Sequence, residues 1–413
     1  MSSSWWTPAI RGKAATSAQA RPGRRIAHLT ATFPPYPGGA GNTAHRFATG
    51  QAERGHHVEV FTAPYPGAAP TSPGVEVHRT PPIYAIGNAP LIPSLARLEG
   101  FDVVHLHYPF IFGSELTLLA RLSKRRRAQA LLVHYKNRLV GDGGRGMLFA
   151  AYERTVAPAL IRAADRVCVL SPDHADSVSY LRRGGGEDPA KLIEMPNGVD
   201  AERFSPGDDE SGLRERLGIP AGAVIAAFVA TLDRAHHFKR LDVAIDALAE
   251  LGDPNLHIVV AGGGELVENF RSLAARRGVA GRVHFLGAVP HAELPNILRA
   301  SDLFLLTTEP PESFGIVLIE AMASGLPVIA TDYPGVRAVI ANGTGLLAPQ
   351  GDVGAVAARL SELVAAGAEG RRAMGDAGRR RALEEWNWPR LLDRMDDAYE
   401  EAIEVRKAKM RMR

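Results

Sequence analysis

The chain runs to 413 residues, 46% hydrophobic and 23% charged, with 42 glycines and 29 prolines. That is enough for two or three globular domains, and it excludes a collagen-like, coiled-coil or wholly disordered protein. A single cysteine rules out an internal disulfide framework and a cysteine-rich zinc module, so a reducing, cytoplasmic setting is expected. The net charge of +3 hides an uneven split: residues 1–200 hold 23 Lys/Arg against 15 Asp/Glu, the remainder 25 against 30.

Residues 1–24 contain Arg11, Lys13, Arg21 and Arg24, no acidic residue and no apolar stretch of signal-peptide type, and read as a disordered basic tail, with a transit peptide as the alternative. From residue 25, short apolar runs alternate with amphipathic segments, the pattern of parallel sheets covered by helices. Arg25–Thr30, Val58–Thr62, Val75–His78, Val103–His107, Leu131–His134 and Val167–Ser171 read as strands, with helical spacing over Asn42–Arg54 and Glu115–Lys124. A second series follows at Ile225–Leu232, His257–Ala261, Val283–Leu286, Leu303–Thr307, Val328–Thr331 and Gly345–Ala348. The periodicity lapses near Pro206, Gly207 and the acidic run Asp208 to Glu210. The expected division is therefore a first Rossmann-like domain over 25–200, a linker over 201–215, a second Rossmann-like domain over 216–385, and a closing helical segment over 386–413. Two doubly wound α/β domains facing across a cleft are expected. No window approaches the roughly 18–20 apolar residues of a membrane span.

Three stretches carry chemistry. The first predicted strand runs into Pro34-Pro35-Tyr36-Pro37-Gly38-Gly39 and then a helix, a turn whose backbone can approach an anion. Gly39, Gly41 and Ala44 satisfy a loose dinucleotide pattern, but the turn is long and the second strand ends without the acidic residue a ribose diol needs. Beyond Ile225–Leu232 come Arg234, His236, His237, Lys239 and Arg240; cations at a strand's mouth suit a diphosphate, and a solvated turn is the plain alternative. The two histidines have no carboxylate or cysteine cluster to make a metal site with them. Glu312 and Glu320 stand eight residues apart, the first in a loop before a helix and the second expected about two turns into it. Free NH groups at Phe314 and Gly315 are expected to face phosphate, and Glu320, on an apolar face, needs a polar partner. The chain has no Asp-x-Asp.

Taken in order, these residues resemble the retaining family 4 glycosyltransferases of the GT-B fold over roughly residues 25–390. The similar segments are Phe33-Pro34-Pro35 with Gly38-Gly39, Arg54-Gly55-His56-x-Val58, Asp102-Val103-Val104-His105-x-His107, Asn197-Gly198-Val199-Asp200, Arg234 with Lys239, Gly262-Gly263-Gly264-Glu265, and Glu312-x7-Glu320 followed by Ala321-x-Ala323-x-Gly325-x-Pro327. The resemblance implies a glycosyltransferase that moves a sugar from a nucleotide-diphosphate sugar to a hydroxyl acceptor with retention and without an essential metal or cofactor. It implies that Arg234 and Lys239 neutralise the diphosphate, that Glu320 accepts the ribose hydroxyls, and that Glu312 contacts the transferred sugar. Phe314 and Gly315 would hold the β-phosphate by their NH groups, with Gly38, Gly39 and Gly263 close by.

The chain departs from the family pattern in places. Ala230-Thr231 stands where many members have Gly-Arg, so the basic role is assigned to Arg234. In the acceptor half Val133-His134-Tyr135-Lys136-Asn137 replaces the usual Thr-x-His, and His134 is carried as a candidate near the reacting centre, with a strand-end histidine satisfied by backbone as the bland reading. His105 and His107 face one side of a strand and fit either an acceptor site or packing. Trp386, Trp388 and Cys168 read as packing. The acceptor is open among glycan, lipid-linked and natural-product hydroxyls, and no nucleic acid is expected. The basic first domain, with Lys124-Arg125-Arg126-Arg127, suggests peripheral contact with the inner membrane face. A GT-B epimerase or phosphorylase, or a non-catalytic sugar-nucleotide binder, is the rival reading.

Overall fold

The computed structural model describes residues 23–36, 38–141, 143–182, 188–341 and 343–412. The chain forms two compact units, one of residues 1–196 with 389–413 and one of 197–388. Residues 1–22, where the tail was expected, lie outside the described residues. Arg24 does not belong with them: its guanidinium makes a two-pronged ion pair with Glu400 at 2.8 Å.

The first unit contains β1 (Arg25–Leu29), β2 (His57–Thr62), β3 (Val75–Arg79), the short hairpin β4 (Tyr84–Ile86) and β5 (Ala89–Leu91), then β6 (Val103–Tyr108), β7 (Ala130–Tyr135), β8 (Arg166–Val169) and β9 (Leu192–Glu194). All but the hairpin join one parallel sheet in the order β3-β2-β1-β6-β7-β8-β9. The second unit contains β10 (Val224–Val229), β11 (Leu256–Ala261), β12 (Val283–Gly287), β13 (Leu303–Leu306), β14 (Val328–Asp332) and β15 (Leu346–Pro349), ordered β12-β11-β10-β13-β14-β15. Both sheets wind outward in two directions from a central pair, β1/β6 and β10/β13. This doubly wound order leaves a crevice beyond the carboxyl ends of that pair, where ligands bind in such folds. The expected Rossmann-like pair of domains is thus borne out.

The central strands are Val/Ile/Leu-rich because both faces are covered: β10, β11 and β13 are almost wholly buried. The helix Leu241–Leu251 packs its Leu241, Ile245 and Leu248 face onto that sheet. The segment expected as a linker from 201 starts within the second unit, because Phe204 is buried and its carbonyl accepts from Arg379, while Arg299 binds the Ser205 carbonyl. The long helix Trp388–Arg411 belongs, from Pro389 on, to the first unit. It is fixed by Arg54 to Asp393 and Asp396, by Arg166 to Glu401, and by Arg406 to the buried Asp165 at 2.7 Å. A side chain at Gly50 would run into Leu392, so only glycine lets the helix approach there. Among the described residues no helix is long and apolar enough to cross a membrane.

One face of the first sheet carries a layer of imidazoles. His28 is in register with His105, His107 with His134, and His134 with Cys168, and all five are buried. Proton positions follow from their partners. The Tyr399 hydroxyl donates to Gln51 Oε1 (3.0 Å), so His105 Nδ1 donates to Tyr399 (2.8 Å). His28 Nε2 donates to the same Gln51 oxygen, and His28 Nδ1 accepts from His107 Nε2, each at 3.0 Å. The Lys136 ammonium donates to His134 Nε2 at 2.9 Å. These bonds fit neutral imidazoles: His28 is bonded at both nitrogens, whereas His105 Nε2, His107 Nδ1 and His134 Nδ1 are buried with no hydrogen-bond partner among the described residues. Burial lowers all four pKa values, that of His28 from 6.5 to about 4.

The sign of the pH dependence follows. Above pH 6.5 neither the folded nor the unfolded chain protonates these rings; below it only the unfolded chain does, so stability falls with pH. His28 alone removes about 1.4 kcal/mol per pH unit between about 6.5 and 4. Chemical denaturation at stepped pH, followed by tyrosine and tryptophan signals, should show this loss, and replacing His28 with Gln should remove its share of the slope while the other three histidines keep theirs.

Candidate active site

The crevice of the second unit is built by the loops after β10 and β13. Asp233 accepts from the backbone N–H of His236 and starts a short turn, Arg234–Lys239, that delivers Lys239. Thr307 and Thr308, just past β13, bind the carbonyls of Arg240 and Phe238, tying this turn to the neighbouring strand. After β13 the chain reaches Glu312, then Gly315 in the left-handed region at φ 81°, where a side chain is disfavoured, and then the helix Ile316–Ala323.

Lys239 Nζ makes an ion pair with Glu312 Oε2. The other carboxylate oxygen accepts from the backbone N–H groups of Ser313 (3.2 Å), Phe314 (3.4 Å) and Gly315 (3.0 Å). Burial alone would raise the Glu312 pKa, but the Lys239 charge and these NH groups outweigh it and hold the carboxyl below its usual range. The NH groups expected to be open to phosphate are therefore occupied by Glu312 in this conformation. These NH groups belong to the loop, not to the helix that follows, whose N-cap Gly315 has no side-chain cap.

Glu320 is the fifth residue of its helix, not two turns in, and is 5% exposed. Its partner is His291, whose Nε2 donates to Glu320 Oε1 at 2.8 Å. The sequence shows that Glu320 needs a partner; it does not name His291, which is 29 residues away in the loop after β12. Arg234 is 85% exposed at its side chain and paired with Glu265 at 3.4 Å, so it is not gathered with Lys239 and Glu312. Glu265 ends the Gly262–Gly264 loop, which lies so close to β10 that a side chain at Gly262 would meet the Ala230 carbonyl, and one at Gly263 the Ala288 backbone. Phe314 is buried against Trp386 with ring centroids 6.1 Å apart, consistent with a packing role for Trp386.

In the first unit, Gly38 precedes and Gly39 begins the helix Gly39–Glu53, in the loop past β1. His134 is fully buried in the imidazole layer, its ring 5.4 Å from Phe47. It has no surface on which to meet a substrate in this conformation. His105 and His107 are likewise sealed. Lys136, two residues beyond His134, is also buried, and burial brings its ammonium down to about 7. The sequence reading passed over it.

The doubly wound pair and this crevice define a GT-B glycosyltransferase. The family described as "Glycosyl transferases group 1" matches residues 209–381, and "Glycosyltransferase Family 4" matches residues 37–203. A D-inositol 3-phosphate glycosyltransferase of Geodermatophilus obscurus is 31% identical over 393 residues, covering 86% of this chain and 82% of its own. The protein of the same description from Mycobacterium tuberculosis H37Ra is 31% identical over 85% of this chain and 76% of its own. Sucrose-phosphate synthase from Thermosynechococcus elongatus superimposes with a TM-score of 0.75 at 23% identity, over 92% of this chain and 98% of that one. Anabaena HepE in complex with UDP and glucose does so with a TM-score of 0.71 at 20% identity, over 91% and 99%. The chain belongs to glycosyltransferase family 4.

Removing the Glu312 side chain leaves three NH groups and Lys239 without their partner. Glu312→Ala should lower the melting temperature of the second unit by roughly 2–4 °C, the effect of about 1 kcal/mol for the lost hydrogen bonds of this loop. Calorimetry checks this, and an unchanged melt would mean that these bonds contribute nothing.

Proposed function

We propose that this glycosyltransferase takes its sugar from a nucleotide-diphosphate sugar, transfers it to an acceptor hydroxyl with retention, and uses protein cations in place of a metal. The observation that carries the reading is the cluster at the mouth of β10 and β13: Lys239, the carboxylate of Glu312 and three convergent backbone N–H groups. An anion already sits among those donors, in the form of Glu312; a phosphate has the same need for a cation and convergent NH groups.

In this reading the donor's diphosphate takes over Lys239 and some of the NH groups, and Glu312 turns to the hydroxyls of the transferred sugar. Arg234 leaves Glu265 to add a second cation, so the charge developing on the leaving group meets positive charge in place. Phe314 and Gly315 hold the β-phosphate through their NH groups, Gly263 borders the donor loop, and Gly38 and Gly39 are assigned to donor binding by the family resemblance. Glu320 has one oxygen held by His291 and no other side-chain partner for the second among the described residues, which suits it to accept a ribose hydroxyl. The acceptor oxygen attacks the anomeric carbon on the face the diphosphate leaves. The new C–O bond forms as the sugar–phosphate bond breaks, and a β-phosphate oxygen takes the acceptor proton. No protein base is needed. The chain's lack of an Asp-x-Asp and the UDP named with the Anabaena structure support this reading.

The curated relatives are named for inositol 3-phosphate, so a small phosphorylated polyol is the first acceptor to test, beside lipid-linked ones. A lipid-linked acceptor would suit the basic strip of the first unit, where Lys124 and Arg125 are exposed and have no carboxylate partner among the described residues. Cosedimentation with phosphatidylglycerol vesicles separates the two cases.

Thermal shift against UDP-, GDP-, ADP- and dTDP-sugars, with EDTA present and NAD as control, tests the donor. One sugar nucleotide should raise the melting temperature by mass action, whereas stabilisation by NAD alone or a strict metal requirement overturns the reading. Transfer by Lys239→Ala should fall by at least about 100-fold, the scale for losing one charge-stabilising group. Glu312→Gln should lose transfer yet bind the free nucleoside diphosphate at least as tightly as wild type, because its competing carboxylate is gone; titration calorimetry decides this.

A further inference from the structure

Glu320 raises a question that its ribose assignment does not answer: what holds a nearly buried carboxylate ready for a ligand hydroxyl? Its helix offers little, since the residues around it, Ile319, Ala321 and Met322, are apolar and fully buried. Among the described residues the one side chain that bonds its carboxylate is His291, on a different element, a short turn spanning His291–Glu293 after β12. His291 is itself held on a second side, its ring centroid 5.5 Å from that of the buried Phe204. Phe204 is in turn anchored, its N–H to the Asp200 carbonyl at 2.8 Å and its own carbonyl to Arg379. The imidazole, half exposed at its side chain, thus bridges an anchored aromatic ring and the carboxylate, with its Nε2–H aimed at Oε1.

We propose that His291 is a positioning residue for donor binding: by fixing Glu320 Oε1 it presents Oε2 to the ribose, and so acts on nucleotide affinity through Glu320. This rests on the ribose role given to Glu320 above. It goes beyond it by naming the residue that makes the carboxylate effective and by linking the donor site to the segment 200–205, which carries Phe204. A hydrogen bond to a charged group that is lost on one side leaves the other free to turn away, at a cost of tenfold or more in binding.

The test pairs protein variants with nucleotides lacking one hydroxyl. Binding of UDP and 2′-deoxy-UDP, and of GDP and 2′-deoxy-GDP, is measured by calorimetry on the full chain as wild type, Glu320→Gln, His291→Ala and His291→Gln. With the nucleotide that binds, wild type should lose roughly tenfold on removal of the 2′-hydroxyl. His291→Ala should bind the ribonucleotide about tenfold more weakly, and its deoxy penalty should shrink to about threefold or less, because two groups acting through one carboxylate are not additive. His291→Gln, which keeps an N–H donor, should recover most of the affinity. In transfer assays His291→Ala should raise the donor KM with kcat within about twofold, the signature of uniform binding.

Fully additive losses for His291→Ala and the 2′-hydroxyl overturn the proposal, as does equal weakening in His291→Ala and His291→Gln. An unchanged affinity in both His291 variants overturns it too, while a Glu320→Gln effect would leave the ribose role standing. If wild type does not distinguish ribo- from deoxyribonucleotides, or binds neither base, the ribose role of Glu320 falls, and this proposal with it.

Discussion

A carboxylate removed from water has to be compensated by charge and hydrogen bonds or it will not stay ionised, and the arrangement around Glu312 is the answer on which the second unit's crevice depends. Its compensation comes from three pieces of chain: Lys239 from the turn after β10, NH groups from the loop after β13, and the left-handed Gly315 that lets this loop close into a helix. None of these would converge without the parallel sheet, whose winding reverses between β10 and β13 and leaves both loops at one edge. The fold therefore supplies donors for an anion, and Glu312 keeps them compensated.

The first unit handles buried polarity differently. Its imidazole layer involves no carboxylate: His28, His105 and His107 share protons with Gln51 and Tyr399 in one neutral network. Tyr399 lies on the helix Trp388–Arg411, so the last helix of the chain closes a network otherwise built from residues 28 to 107. The ion pairs of Arg54, Arg166 and Arg406 along the same helix give it a fixed register against the sheet. Only Arg406 with Asp165 is deeply buried among these, and Lys409 and Arg121 also reach that carboxylate, at 3.2 and 3.5 Å, so its buried charge is compensated by three cations.

Much of this was legible in the sequence. Alternating apolar runs located twelve strands to within a few residues, because strands covered on both faces carry an unbroken apolar signal. The weak ones, β9 and the β4/β5 hairpin, are three residues each and too short to show a period. Lys239, Glu312 and Glu320 could be picked out because charged residues stood where the pattern called for strand ends or an apolar helix face. What could not be read were partners distant in sequence: His291 for Glu320, Glu265 for Arg234, and the filling of the loop NH groups by Glu312 itself. Spacing along the chain carries no information about a side chain that folds back on its own backbone.

His134 shows the same limit in sharper form. A histidine near the end of a predicted strand looks the same in sequence whether the strand stops before it or after it. Here β7 continues to Tyr135, and the Lys136 N–H still bonds the Tyr108 carbonyl in the manner of the ladder. His134 therefore lies inside the sheet, in register with His107 on one side and Cys168 on the other, and its neighbours decide its state. Moving two residues toward the carboxyl end brings the chain to Lys136, on the same face and nearer the mouth, with an ammonium that burial makes easy to discharge. In a parallel α/β unit the chemical meaning of a polar residue is set by its distance from the carboxyl end of its strand. One or two residues separate a group inside the sheet from a group at its edge.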